Sequence, residues 1–567
     1  MRLLQIALSG QYKGLKDQSF HFDRTEGNIF ALIGLNGSGK SQLLELIAEA
    51  FAFLERWQRV EFISGKGLGF GVMLHYEWDF RHDIDVLTRH DGLFDYSGLA
   101  ELQVRIEPNG RIYVAVRQGG DWIPLDDDER NIPIPQVVGY ASGLNENLQR
   151  SFMKNAVQQF EVRRVSAKRQ KELSGKVDEK RRADINQQYV EKYPHIFSSV
   201  SGEAFDQGGY LDVIEMSQKA SQLIYIDYDN VGLLLLSLAV LEHQEVQNLF
   251  SEVSFNRLHK AVIRYDLRTG IIEEDAIRDV KMLIRIAGEE RVHRIGQPTT
   301  DAQYEIYELN YLAGEITLDL FDQELLERLR EANYSDPLTF FKRLYNIQQL
   351  GIKNWGYSVR QELRRCDFFG AVKKPLKTKL PLSIVELLLE DNIGNTVSLD
   401  DLSDGETQLM QIMSAAFIFS RSQALFLLDE PETHLNPSWR TYFHSHLTRA
   451  ISLGKKADKP SQVFLSTHSP FMISSLKREN VRFLERNDDG LISMEPAFSQ
   501  TYGASFDVLI KEYFGLRSLI SQSVVEDIKR RLPSDNQSDV AFKASRWIEE
   551  NLGDSMEKAY LLRKLQN

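Results

Sequence analysis

Residues 31–47 read "ALIGLNGSGKSQLLELI", and the reading of this stretch decides the fold. An apolar run, "IFALIG", enters a glycine-rich turn. Lys40-Ser41 then opens a segment with Leu43, Leu44, Ile47, Phe51 and Leu54 at helical spacing. The pattern G-x-x-x-x-G-K-[ST] between a strand and a helix is a phosphate-binding loop. Its glycines let backbone N–H groups turn inward on phosphate oxygens, and the helix N-terminus adds the positive end of its dipole. The loop Gly34, Leu35, Asn36, Gly37, Ser38, Gly39 is therefore expected to cradle ATP. Lys40 is expected on the β- and γ-phosphates, and Ser41 on Mg²⁺.

Outward from the loop, residues 1–33 read as strands ("RLLQIAL", "SFHFD", "IFALIG"). "LQVRIEPNGRIYVAV" reads as a hairpin turned at Asn109-Gly110. Residues 145–350 are mostly helical in pattern. Strands return over 375–400, a βαβ series runs through "QALFLLDE" and "QVFLSTHSP", and the tail after about 500 is helical. The fold class expected is α/β, a P-loop head built from both chain ends with a helical insertion lobe. Residues 1–145 give its N-terminal part, 146–370 the insertion, 371–500 the C-terminal part and 501–567 a tail. The chain has 567 residues, 42% of them hydrophobic, and a net charge of −13. The acidic balance argues against blanket coating of nucleic acid while leaving a local basic face open. One cysteine, Cys366, excludes an intrachain disulfide and fits a reducing cytoplasm. The longest apolar run, "VGLLLLSLAVLE" from Val231, is short of the ~20 residues of a membrane span and reads as a buried helix.

In "ALFLLDEPETHLNP" a buried parallel strand ends in two acids, at the strand end where open α/β sheets bind ligands. Downstream of a P-loop, Asp429 is expected in the Mg²⁺ shell and Glu430 as the general base for the attacking water. Glu432, His434 and Asn436 follow in a loop, where surface polar residues are the default. "LSDGETQ" begins at Leu402, upstream of that strand. As local chemistry, Ser403 with Glu406 makes a helix capping box.

This order of motifs resembles the ABC-type ATPase heads of the SMC, RecF and OLD families, whose signature is close to LSGGE. The resemblance implies that Ser403 and the Gly405 amide touch the γ-phosphate of ATP held by a second subunit. It implies a homodimer or higher homo-oligomer through shared ATP sites. Asp404 departs from the usual glycine and sets a carboxylate near that phosphate. His468 in "VFLSTHSP" resembles the switch histidine of these families, which senses the γ-phosphate. Lys13 in "QYKGLKDQSFHFD" resembles a basic residue near the nucleotide, with a surface lysine as the other reading. Gln136 in "PIPQVVGY" resembles the glutamine that links Mg²⁺ to the helical lobe.

The insertion lacks sustained heptads and is broken by Pro194, Gly208-Gly209, Gly270 and Pro298, so a compact lobe is expected in place of a coiled coil. No nuclease metal motif follows His468; Glu526 and Asp527 lack the later paired aspartates. The layout resembles stand-alone ABC-type ATPases of bacterial anti-phage systems, such as PtuA of Septu, which implies a separately encoded nuclease partner. A RecF/SMC-like DNA-repair clamp and an ATP-stabilised, non-hydrolysing scaffold are the alternatives. Residues 161–182 hold nine Lys or Arg against four acids. They form either a solvated helix face or a DNA-backbone contact through Arg163, Arg164, Lys168 and Arg169. No membrane association is expected.

Overall fold

The computed structural model describes residues 1–22, 24–63, 67–82, 98–125, 132–142, 146–174, 177–199, 213–215, 220–251, 253, 255–268, 273–299, 308–365, 379–391, 393–455, 461–516, 520–532 and 538–566. Cys366 and Gly208-Gly209 and Gly270 of the insertion lie outside the described residues. The chain divides into two compact units, 1–502 and 503–567. The second consists of the helices Phe506–Tyr513, Gln522–Arg531, Ser538–Asn551 and Met556–Gln566.

At the centre of the first unit is a seven-stranded sheet. In spatial order its strands are Leu223–Ile226, Gln136–Ala141, Ala424–Asp429, Gln462–Ser466, Ile29–Ile33, Val481–Arg486 and Ile492–Pro496. All pairings are parallel except the last, a hairpin. Ile29–Ile33, Ala424–Asp429 and Gln462–Ser466 are buried at every position, as their unbroken apolar composition requires of strands covered on both faces. Both chain ends build this sheet, an α/β arrangement with the glycine-rich loop at the end of one of its inner strands.

A six-stranded antiparallel sheet runs Leu15–His21, Arg2–Tyr12, Gly71–Asp79, Leu99–Ile106, Ile112–Gln118, Asp121–Pro124. The helix Lys40–Gln58 is buried from Leu43 to Arg56, and its apolar residues share one core with both sheets. Phe51 meets Tyr76 of the antiparallel sheet with ring centroids 5.9 Å apart. A helix covered on all sides must carry apolar residues all round, and its three glutamates within that span need partners. Glu49 is ion-paired to Lys154 at 2.9 Å and to Arg56 at 3.1 Å, and accepts from Ser151 Oγ at 2.8 Å. Glu55 accepts from Asn155 Nδ2 and the Gln222 amide. Arg150 lies 3.6 Å from Glu45. Lys154, Asn155 and Arg150 all belong to the helix Glu146–Leu173, so a buried ionic seam joins the P-loop helix to the start of the insertion.

The insertion is less uniformly helical than its sequence pattern. Leu223–Ile226 supplies the edge strand of the central sheet. Phe255–Asp266 and Ala313–Asp319 form a five-stranded antiparallel sheet with Val292–Arg294, Leu382–Asp391 and Thr396–Ser398. In Phe255–Asp266, Ala261, Ile263 and Tyr265 are buried while Lys260, Val262 and Arg264 between them are partly exposed, the period of two of a half-covered strand. Leu382–Asp391 pairs along Phe255–Asp266, so pairing crosses the boundary drawn at 370. Three of the four residues offered as a DNA contact are engaged within the protein, while Lys171 and Lys180 to Arg182 stand exposed. Arg163 is buried against Glu273 at 3.0 Å, Arg164 is paired with Glu161, and Arg169 donates to Asn186 Oδ1. Lys168 stands exposed, 3.8 Å from Glu172. These contacts favour the solvated-face reading over a DNA stripe.

Candidate nucleotide site

The P-loop leaves the strand Ile29–Ile33 at Gly34 and enters the helix at Lys40. Gly34, Gly37 and Gly39 have φ of 145°, 82° and 94°, values that L side chains rarely adopt. At Gly34 a Cβ would stand 2.1 Å from the Leu484 carbonyl oxygen. Lys40 Nζ donates back to the carbonyls of Gly34, at 2.9 Å, and Leu35, at 3.2 Å, so its ammonium hangs over the loop. Ser38 Oγ is buried and has no hydrogen-bond partner among the described residues. A buried lysine, an orphaned hydroxyl and a loop whose first glycine has no room for a Cβ fit a polyphosphate. Burial pulls the Lys40 pKa down, opposed by Glu430 and Asp429.

Register carries the acids to the same edge. Asp429 stands opposite Ser466 on one side and Ala141 on the other, and Ser466 opposite Leu32. The C-terminal ends of four parallel strands therefore open beside the P-loop. Ser41 Oγ donates to Asp429 Oδ1 at 3.0 Å, and Ser466 Oγ donates to the same oxygen. A hydroxyl and a carboxylate in contact are hard oxygen donors that suit Mg²⁺. Glu430 takes φ 50°, and its amide is held by Ser466 O at 3.2 Å and Oγ at 3.1 Å. His468 Nε2 lies 3.6 Å from Glu430 Oε1. Burial, then the Lys40 charge, hold His468 below the usual imidazole value, and the two acids oppose them. Lys40, Ser41, Asp429, Glu430 and His468 are thus brought together.

Ser403 caps the helix Asp404–Phe419, accepting from Glu406 N at 3.3 Å while Glu406 reaches back to its amide at 2.9 Å. Ser403 and Asp404 are exposed. Asp404 lies in the first helical turn, where the dipole favours an anion. Gly405 is buried; a Cβ there would meet the His434 carbonyl at 2.9 Å. The signature glycine thus lets this helix pack on the loop that follows Glu430. Lys13, at φ 52° in the turn between the first two strands, is ion-paired with Glu45 of the P-loop helix.

Gln136 is not at the site. It begins its strand opposite Ala424, whereas Asp429 is opposite Ala141 at the other end; five residues of strand, about 16 Å, separate the two ends. Gln136 Nε2 instead donates to Gln222 O at 2.7 Å. The residue that does leave this strand beside Asp429 is Ser142, whose amide donates to Asp429 O and whose Oγ donates to Thr433 Oγ1 at 3.1 Å. It was legible as the first polar residue after the apolar run. Two more residues escaped the sequence reading. Arg486 donates to the P-loop carbonyl of Gly37 at 3.1 Å, and nothing in its local sequence marks that reach. Glu432 is only 4% exposed, contrary to the surface expectation, and burial pushes it up to about 7. Asn436 caps the next helix, accepting from Trp439 N.

A family model described as "AAA domain, putative AbiEii toxin, Type IV TA system" matches residues 302–474, a span holding the signature, Asp429, Glu430 and His468. Among solved structures, the chain is similar to the SMC head domain from Thermotoga maritima, at 10% identity over 88% of this chain and 100% of that one, TM-score 0.32. It is similar to the Smc head domain with a coiled coil and joint from Pyrococcus yayanosii, at 14% identity over 91% and 100%, TM-score 0.31. A third is the Smc head domain with an extended coiled coil bound to the C-terminal domain of ScpA, from Pyrococcus furiosus, at 13% identity over 91% and 100%, TM-score 0.29.

Proposed function

We propose that this P-loop ATPase head hydrolyses ATP, two copies closing around shared nucleotides, and controls a separately encoded nuclease in a bacterial anti-phage complex in the cytoplasm. The observation that carries the hydrolytic part is the convergence of Lys40, Ser41, Asp429, Glu430 and His468 on one sheet edge. Lys40 leaves its loop carbonyls for the β- and γ-phosphates. Ser41 and Asp429 hold Mg²⁺, which when bound supplies charge neutralisation at the β- and γ-oxygens. Glu430 orients the attacking water and takes its proton, while His468, neutral and beside Glu430, senses the γ-phosphate. Ser403 and the Gly405 amide approach the γ-phosphate held by the second copy, and Lys13 flanks the site. Residues 1–145 and 371–500 serve as the engine, 146–370 as the lobe that carries its state outward, and 501–567 as a tail.

Glu430→Gln keeps the size and removes the base. It should retain ATP binding and lower turnover by about 10²-fold or more, and in sedimentation should form an ATP-dependent dimer. Absence of turnover in the wild-type protein would overturn the hydrolytic reading in favour of a scaffold, and turnover unchanged in Glu430→Gln would remove Glu430 as its base. The defence role is supported by the toxin–antitoxin wording of the family description and by an insertion folded back into the head's sheets. Its test is co-expression with the product of the neighbouring gene. A co-purifying nuclease whose cutting follows ATP state is expected. Tight, ATP-dependent binding of gapped DNA by this protein alone, with no nuclease encoded next to it, would favour a RecF-like clamp.

A further inference from the structure

We propose that Glu432 is a positioning residue for His468: its buried carboxyl accepts the Thr467 hydroxyl and fixes the switch turn against the loop that starts at Glu430. The inference rests on the hydrolytic reading above. Glu432 and Thr467 are 4% and 0% exposed, and Thr467 Oγ1 donates to Glu432 Oε1. The same hydroxyl accepts the Ser469 amide at 2.9 Å. One oxygen therefore pins the residues on both sides of His468, and its single proton points to Glu432. The Thr467 amide is fastened to Leu32 O at 3.1 Å, just before the P-loop. Remove the carboxyl and the turn keeps its backbone anchor but loses the link that sets its distance from Glu430.

The loop holding Glu432 is fixed at its far end as well. The His434 amide donates to Gln408 Oε1 at 3.1 Å, and Gln408 Nε2 donates to Tyr140 OH at 2.8 Å. Gln408 lies on the helix that Ser403 caps. Glu432 is thus the midpoint of a buried polar chain from the signature helix to the switch turn. Its second oxygen, Oε2, is buried with no hydrogen-bond partner among the described residues. An acid retained there against the cost of desolvation implies a use beyond filling space. The use that geometry offers is the 3.6 Å spacing of His468 and Glu430. Displacements of about 1 Å at such a pair cost up to 10²-fold in rate.

The test uses the full chain with Mg-ATP and measures turnover and nucleotide affinity separately. Glu432→Ala and Thr467→Val should each lower kcat by roughly 10- to 100-fold and leave the ATP Kd within about twofold, since Lys40 and Ser41 are untouched. Glu432→Gln, which keeps an acceptor for Thr467, should recover most of the loss. The double variant should be no worse than the poorer single one, because both remove one tie. Wild-type kcat in a folded Glu432→Ala or in Thr467→Val overturns the proposal. So does a parallel fall of kcat and affinity, the mark of general loosening. If Glu432→Ala does not fold, Thr467→Val decides alone. Wild-type turnover that is absent, or equal in Glu430→Gln, sinks the parent reading; loss in Glu430→Gln with no effect at Glu432 and Thr467 sinks only this one.

Discussion

Gly34 and Gly37 share a left-handed backbone and little else. A Cβ at Gly34 would strike the Leu484 carbonyl at 2.1 Å, whereas at Gly37 nothing lies within 4 Å. Gly34→Ala should therefore cost about 3 kcal/mol or more, through strain plus displacement of a neighbouring strand, and Gly37→Ala about 1 kcal/mol of strain alone. Urea unfolding of the two variants checks the contrast, and equal losses would refute it. Glu432 gives a pH test. Its folded value is about 7 against 4.5 in the unfolded chain, so the folded state holds the proton longer. Below about pH 4.5 both states are protonated and there is no penalty. As pH rises through 7 the penalty grows to at most about 3 kcal/mol. Glu432→Gln cannot ionise, so its stability relative to wild type should improve from pH 5 to pH 8 in nucleotide-free protein. A difference that stays constant would show the carboxyl is not held protonated.

The ionic seam between Lys40–Gln58 and Glu146–Leu173 belongs to the scale of elements. Both partners of the Glu49–Lys154 pair are 1% exposed, and the Lys154 and Arg56 charges hold Glu49 down at about 2 despite burial. Lys154→Met strands part of that charge and should destabilise by about 3 kcal/mol, measured by urea unfolding. Adding Glu49→Gln should return part of the loss; a neutral Lys154→Met would refute the seam's role. Elements were also what the sequence disclosed best. The strand–loop–helix of the P-loop and the strands ending at Asp429 and Ser466 are local patterns with one sign of burial throughout. Gln136 failed for a directional reason: in a parallel sheet the ligand edge is where a strand ends, and Gln136 stands where its strand starts. Phe255–Asp266 was hidden because its alternation is shared among long polar side chains that a helix also accepts. Glu432 was hidden because its partner Thr467 comes from the turn after the strand Gln462–Ser466, and burial created by distant residues leaves no local trace.

At the scale of the whole molecule, all the residues assigned to the nucleotide site lie in the unit 1–502. Ending the chain after Tyr502 should leave ATP affinity within about threefold, a change of roughly 0.7 kcal/mol. A fluorescent ATP analogue measures this, and a loss beyond tenfold would give the tail a part in the site. The central sheet has a different consequence, in time. Ile29–Ile33 is flanked by Gln462–Ser466 and Val481–Arg486, so the earliest strand of the central sheet waits for partners made more than 400 residues later. At roughly 5–20 residues per second, the wait is about 20 to 90 seconds. Throughout it the P-loop strand and its apolar helix have the antiparallel sheet and the helix Glu146–Leu173 for cover, and the binding loop has no acids to face. The binding loop meets Asp429, Glu430 and His468 only once residues 424–468 have been made.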